Sequence, residues 1–241
     1  MYINAEDMHF QILNDQIRES PDHAVTIEHC MGQRYIGSGM SGKEITINGV
    51  PGNALGAYLD GGAIIVNGNA QDATGDTMND GEIIVYGSCG DATGYGMRGG
   101  RILVRGNVGY RAGIHMKAYQ DQQPVLVVGG EAGSFLGEYL AGGTIIVLGL
   151  GSTKKAPVGN LCGTGMHGGA MYLRAEAVPE DLPPQVMAVQ ASKGDMNAIK
   201  PYLDDFCERF GIGKAEVLSK PFYVLRPNTS NPYKALYTTY L

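Results

Sequence analysis

The stretch Gly94-Tyr-Gly-Met97-Arg-Gly99-Gly-Arg-Ile102-Leu-Val104-Arg-Gly106 decides the fold, because its pattern recurs seven times along the chain. With Gly94 as the anchor of its copy, the anchors are Gly37, Gly56, Gly75, Gly94, Gly113, Gly137 and Gly163. Successive anchors lie 19, 19, 19, 19, 24 and 26 residues apart. A period near 20 residues is typical of a chain that stacks one supersecondary unit on the next.

Apolar residues recur at fixed distances from each anchor. The third residue after it is always Met or Leu: Met40, Leu59, Met78, Met97, Met116, Leu140 and Met166. The eighth and tenth residues, such as Ile102 and Val104, are almost all β-branched or Leu, which indicates short strands with alternate inward positions. The column between them is also mostly apolar and therefore needs cover: Thr46, Ile65, Ile84, Leu103, Val127, Ile146 and Tyr172.

One repeat is too small to bury a core alone, so neighbouring repeats must pair their strands at about 4.8 Å. We therefore predict an all-β fold, a single-stranded right-handed parallel β-helix of about seven coils, with the handedness of parallel crossovers. The fifth residue after the anchor is usually Gly, and we expect a positive-φ corner there. The five glycines are Gly42, Gly61, Gly99, Gly142 and Gly168.

The segments outside the repeat predict three domains. Residues 1–23 form an N-terminal capping helix over 4–19, with Asn4 as its cap. Residues 24–175 form the glycine-repeat domain. Residues 176–241 form a C-terminal helix, over 195–210, and an extended tail that pack on the repeat; the last residues, from Asn228, read as irregular.

Composition restricts the functional classes. A net charge of −6 argues against nucleic-acid binding, because such proteins neutralise phosphates with an excess of Lys and Arg. The N-terminus lacks the pattern of a signal peptide, and no stretch approaches 18 uninterrupted apolar residues, so we expect a cytoplasmic protein without a membrane span. The four cysteines are far apart and are expected to be reduced and buried.

Motifs that carry chemistry are weak. Gly32-x-x-x-x-Gly37 lacks the Lys-Ser/Thr of a phosphate-binding loop, and neither His29-Cys30 nor Cys162 with His167 has zinc spacing or an orienting third group. We predict no catalytic, cofactor-binding or metal-binding residue. The one electrostatic feature we retain is a basic cluster that could meet an acidic partner: Arg98, Arg101, Arg105, Arg111 and His115.

Two stretches resemble a known family. Gly137-Glu-Tyr-Leu-Ala-Gly-Gly-Thr-Ile-Ile-Val-Leu-Gly149 and Arg98-Gly-Gly-Arg-Ile-Leu-Val-Arg-Gly-Asn-Val-Gly-Tyr-Arg111 closely resemble the glycine-repeat (GXGXG) domain at the C-terminus of the glutamate synthase large subunit. That domain is similar to the glycine-repeat subunit of formylmethanofuran dehydrogenase. The resemblance covers residues 24–174 and implies a non-catalytic domain that braces a glutamine amidotransferase against an FMN and iron–sulfur synthase domain.

The resemblance leaves three functional hypotheses. The first is a structural subunit of a split glutamate synthase, serving glutamate biosynthesis, with FMN and the iron–sulfur cluster on partner subunits and none in this chain. The alternative is the scaffold of a formylmethanofuran dehydrogenase-type complex or of N-methylglutamate synthase. The third is an independent ligand-binding protein with a site in the insertions at 120–124 and 151–157. A homo-oligomer is compatible with each.

Overall fold

The computed structural model describes residues 1–228, which contain eleven strands and three helices. The strands are β1 (Tyr2–Asn4), β2 (Ala24–Met31), β3 (Glu44–Val50), β4 (Asp60–Asn67), β5 (Asp80–Val85), β6 (Arg101–Val104), β7 (Val125–Val128), β8 (Ala141–Val147), β9 (Gly168–Arg174), β10 (Val186–Gln190) and β11 (Phe222–Pro227). The helices are α1 (Phe10–Glu19), α2 (Lys193–Phe210) and α3 (Lys214–Val217). The irregular tail that we predicted beyond Asn228 lies outside the described residues.

All eleven strands join one mixed sheet, so the predicted all-β, single-stranded right-handed parallel β-helix of about seven coils is wrong. The order is β1-β2-β3-β4-β5-β6-β7-β8-β9-β11-β10, parallel from β1 to β9 and antiparallel at β11 and β10. Each repeat supplies one strand, and the rest of it is turn. After β10 the chain passes through α2 and α3 and returns as β11, which lies between β9 and β10, runs antiparallel to both and so makes the sheet mixed.

The parallel part keeps the columns of the repeat in register. Ile83 pairs with Ile102, and Ile102 with Leu126, so the eighth residues of neighbouring repeats stack directly. Together with the buried Met and Leu column, these side chains form the larger hydrophobic core between the strands and the turns. A repeat is therefore stabilised mainly by its two neighbours.

The N-terminal segment differs from the predicted helix over 4–19. Residues Tyr2–Asn4 pair in parallel with β2, and α1 begins only at Phe10, with His9 as its N-cap. The side chain of Asn4 accepts a hydrogen bond from the Glu6 N–H and so stabilises a turn rather than the helix. Residues 2–4 therefore form a strand on β2, and the helix that we predicted to begin at Asn4 begins only after this strand.

The second core lies on the opposite face of the sheet, where α2 covers the column that we expected to need cover. Phe206, Leu203 and Ile199 of the helix cluster with Ile84, Leu103, Val127, Ile146 and Tyr172 of the strands. A Ser192–Asp195 capping box begins α2, and Gly211 ends it with a left-handed φ of 65°. Within residues 1–228 no helix is both long and apolar enough to span a membrane.

The predicted corner glycines need a correction. Gly42 and Gly61 have positive φ, whereas Gly99, Gly142 and Gly168 do not. In most repeats the left-handed corner lies one residue later, at Gly62, Gly81, Gly100, Gly143 and Gly169. The fifth position still excludes a side chain for another reason, since a Cβ on Gly99 would lie 2.1 Å from the carbonyl oxygen of Asn79 in the preceding repeat.

Candidate functional site

The turn that carries the anchor has an unusual backbone in every repeat. Ala92, Gly94 and Gly96 have φ of 54°, 72° and 58°, so the chain enters the left-handed region at three alternate residues. The same three positions are left-handed in the other six turns, including at large residues: Tyr35, Tyr58, Arg111, His115, Phe135, Tyr139 and Leu161. Left-handed conformations strain residues with a side chain, and such strain concentrates at functional sites.

At most anchors a Cβ would overlap the core, whereas at Gly94 the nearest core atom would be 3.8 Å away and the positive φ alone favours Gly. A Cβ on Gly75 would lie 2.3 Å from Cδ1 of Ile102, and one on Gly113 would lie 2.4 Å from Cδ1 of Ile145. The anchor is buried, but the residues two positions before and two positions after it include several exposed side chains. The turns therefore display a surface whose composition is independent of core packing.

Aromatic side chains gather on the turns of the fourth to sixth repeats. The ring of His115 lies between two tyrosines, 5.8 Å from Tyr95 in an edge contact and 5.1 Å from Tyr139 in a stacked one. Beside them the rings of Tyr110 and Phe135 meet at 5.2 Å. The three tyrosines remain about 40% exposed, which leaves apolar ring surface in contact with water. We call these five residues, together with Arg111 and Glu138, the aromatic surface.

Arg111 and Glu138 supply the charges of this surface. Nε of Arg111 lies 2.8 Å from Oε2 of Glu138, and its guanidinium lies over the rings of Tyr110 and Phe135. The Glu138 side chain is only 8% exposed, yet Oε2 has no aligned hydrogen-bond donor within residues 1–228. This buried oxygen is therefore held mainly by its charge interaction with Arg111.

The structure separates the five residues that we predicted as one basic interface. Arg111 and His115 lie in the aromatic surface. Arg101 lies at the start of β6, where it forms ion pairs with Glu82 and Asp205, and Arg209 joins the same network from α2. Arg98 and Arg105 are exposed and make no ion pair within the described residues. The side chains diverge because strand and turn positions of one repeat face different sides of the sheet.

The ion pairs of Arg101 form part of the lining of a cleft between the sheet and α2. This cleft has a volume of about 590 Å³ and is also lined by Glu44, Asp80, Gln122 and Tyr202. Gln122 belongs to the insertion at 120–124. This insertion forms a tight turn, in which the backbone N–H groups of Tyr119 and Gln122 each donate a hydrogen bond to the carbonyl of the other residue. The insertion thus borders the cleft rather than the aromatic surface.

The cysteines are protonated at neutral pH. Burial raises the pKa of Cys30 to about 11 and of Cys89 and Cys162 to about 12. The ring of His167 contacts the carbonyl of Gly165 rather than the Cys162 thiol. Within residues 1–228, no three His, Cys, Asp or Glu side chains are placed to hold a metal ion.

Comparison with known proteins identifies the repeat. A family model described as the GXGXG motif matches residues 12–228. The chain belongs to the GXGXG motif family. An uncharacterized protein of Methanocaldococcus jannaschii, MJ1350, is 45% identical to this GXGXG protein over 98% of the chain and 95% of the relative.

A solved structure resembles this GXGXG chain in fold. It is a chain of the formyltransferase/hydrolase complex FhcABCD from Methylorubrum extorquens, determined in complex with methylofuran. The TM-score is 0.60 at 20% identity, and the match covers 85% of the GXGXG chain and 73% of the other. At this identity the likeness concerns the fold alone.

Sequence reasoning missed most of the aromatic surface. It identified Arg111 and His115 by charge but not Tyr95, Glu138 or Tyr139. Those residues occupy the positions one and two residues after the anchors at Gly94 and Gly137. Reading these columns across the repeats would have found them, because stacking brings equivalent positions of neighbouring repeats within contact distance.

Proposed function

We propose that this chain is a structural subunit of a multi-chain enzyme complex and that a partner subunit docks on the aromatic surface. The observation that carries the proposal is the cluster around His115, where exposed rings of Tyr95 and Tyr139 lie beside the Arg111–Glu138 ion pair. The protonated thiols and the filled apolar interior of the repeat support a role without catalysis by this chain. We expect the complex in the cytoplasm.

The composition of the aromatic surface is that of a protein interface. Tyr, Phe and Arg are enriched where partners bury surface, because they cover a large area with few rotatable bonds. Here the strained turns and ring contacts already fix the side chains, so docking would cost little conformational entropy.

The parent complex that we favour is of the formylmethanofuran type. The fold likeness to a chain of the FhcABCD complex supports this choice, as does the resemblance of the repeat to the glycine-repeat subunit of formylmethanofuran dehydrogenase. In this proposal the chain holds no cofactor, and partner subunits bind the furan coenzyme and carry out the chemistry. The chain would keep those partners in a fixed relative position.

A second candidate is a split glutamate synthase-type complex. It is favoured by the specific resemblance of Gly137–Gly149 to the C-terminal domain of the glutamate synthase large subunit. Its partners would be a glutamine amidotransferase and a flavoprotein, with FMN and an iron–sulfur cluster on the latter. The proposed role of this chain is the same in both complexes.

Purification of the tagged chain from its native host, followed by mass spectrometry and an absorption spectrum, distinguishes the candidates. Formyltransferase or hydrolase chains like those of the FhcABCD complex would support the formylmethanofuran type. An amidotransferase together with a protein that shows flavin absorption would identify the glutamate synthase type. Recovery of the chain alone at native expression levels would contradict the structural role.

A pair of variants tests the docking surface within that experiment. Tyr139→Ala in the aromatic surface should reduce the recovered partner by about tenfold or more, as expected for a buried aromatic anchor. Tyr58→Ala is the matched control, because Tyr58 occupies the same position of its turn, lies four repeats away and is also exposed. Equal loss of partner from both variants, or from neither, would count against docking at this surface.

A further inference from the structure

The strand β10 lies at one edge of the sheet that the described residues form. It pairs with β11 on one side, and within residues 1–228 no strand pairs with it on the other. The opposite edge of the sheet is β1, which has only three residues, and beside it the Met1 ammonium group pairs with Asp22 at 2.9 Å. Short and charged edges resist strand addition, whereas β10 has five residues and no charge.

The hydrogen-bond register shows which backbone groups of β10 point away from β11. The Ala191 N–H donates to the carbonyl of Phe222, and the carbonyl of Gln185 accepts from the Asn228 N–H, so odd-numbered residues bond to β11. Val186 lies opposite Pro227, which has no N–H, in agreement with this alternation. The backbone groups of Val186, Ala188 and Gln190 therefore point outward, and of these the Val186 N–H is used by the carbonyl of Pro183.

Two apolar side chains of β10 are exposed on one face. Met187 is 50% and Val189 is 47% exposed. They alternate with Val186 and Ala188, which face the larger core. Val224 of β11, opposite Val189, belongs to the core under α2, so the two exposed side chains extend that apolar face beyond the helix.

We propose that β10 pairs with β10 of a second copy of this chain, in antiparallel register about a two-fold axis at Ala188. This register places Ala188 opposite Ala188 of the second copy and Gln190 opposite Val186 of that copy. The backbone N–H and C=O groups of all three residues point away from β11 and toward the second copy. The register forms four backbone hydrogen bonds, two between the Ala188 residues and two from the Gln190 N–H to the Val186 carbonyl. The Val186 N–H, already bonded to Pro183, is the one outward donor not required.

The same register matches the side chains. Met187 lies opposite Val189 of the mate in a non-hydrogen-bonded pair, where side chains are closest, at Cα distances of about 4.5 Å. The four apolar side chains thus cover one another on one face. Because β10 carries no charge, two identical strands meet without repulsion, and a two-fold contact closes as a dimer instead of propagating.

Sedimentation of the full chain over about 1 to 100 µM tests the proposal, since the dimer should have twice the mass of the 25.6-kDa chain. Met187→Glu should weaken association by at least about tenfold, because the pairing buries the new carboxylate twice. Leu218→Glu is the control, because Leu218 is also exposed but lies outside β10. A monomer at every concentration, or a dimer insensitive to Met187→Glu, would overturn the proposal.

A cysteine pair tests the register without relying on loss of association. In Met187→Cys/Val189→Cys, residues 187 and 189 of the two copies lie within disulfide range, so mild oxidation should yield a covalent dimer on a non-reducing gel. The native thiols are buried and serve as an internal control in the parent chain. Absence of the covalent dimer from an associated, folded double variant would refute this register.

Discussion

The Nε of Arg174 donates a hydrogen bond of 2.9 Å to the backbone carbonyl of Val217 and thereby joins the end of β9 to α3. The same buried guanidinium also donates to the carbonyls of Leu148 and Glu216 and to the hydroxyl of Ser219. Burial lowers the pKa of Arg174, but an arginine remains charged at neutral pH. One side chain thus fastens the returning C-terminal segment to the sheet.

Arg174→Met should destabilise the protein by about 2 kcal/mol or more, because the buried carbonyls of Val217 and Leu148 lose their donor at roughly 1 kcal/mol or more each, whereas the Glu216 carbonyl keeps its bonds from Ser219. Urea unfolding followed by circular dichroism measures the change. Arg105→Met is the control, since Arg105 is exposed and makes no ion pair in residues 1–228. Equal stability of the two variants would show that the Arg174 contacts contribute nothing.

Substitution of the glycines in the turns should separate backbone strain from steric overlap. Gly39→Ala, at φ 63° with no atom near its Cβ, should cost about 1–2 kcal/mol from the left-handed backbone alone. Gly75→Ala should cost about 3 kcal/mol or more, because its Cβ also meets Cδ1 of Ile102. Adding Ile102→Val, which removes that methyl group, should recover part of the difference in thermal denaturation; a purely additive double variant would contradict the overlap.

Met97→Lys should unfold or aggregate the chain. Met97 is fully buried in the stack between the repeats, and an unpaired ammonium group there costs several kcal/mol. Soluble yield and melting temperature report the effect, with Met97→Leu as the volume-conserving control. A soluble Met97→Lys protein with unchanged melting would be inconsistent with the stacked core.

Acid stability should depend on Asp195. Hydrogen bonds from Ser192 and the ion pair with Arg226 lower the pKa of Asp195 to about 2 from its ordinary 3.8. A depressed pKa stabilises the fold above about pH 4, and this contribution is lost as the pH falls toward 2. Asp195→Asn should lower the melting temperature at pH 7 and flatten its decline between pH 4 and 2. Asp121→Asn, in an exposed loop, should change neither.

The repeat columns made much of the local structure predictable. The burial of Met97 and the pairing of Ile102 could be predicted from their fixed distance to the anchor. In stacked repeats, residues at the same distance from the anchor have the same surroundings. The order of strands in the sheet could not be predicted in this way. The five residues of β10 pair only with β11, which follows α2 and α3 in the chain. The pairing of Arg111 with Glu138 was equally hidden, because an insertion between their repeats interrupts the 19-residue spacing.

The turns that alternate left-handed residues have an evolutionary consequence. Their shape is set by the backbone and by the anchor glycine, so the flanking positions accept side chains as different as Ala54, Arg111 and Phe135. Substitutions there change what the surface recognises while the core and the sheet register stay as they are. A lineage could therefore exchange one partner for another through a few point mutations on these turns, keeping a stable fold at every step.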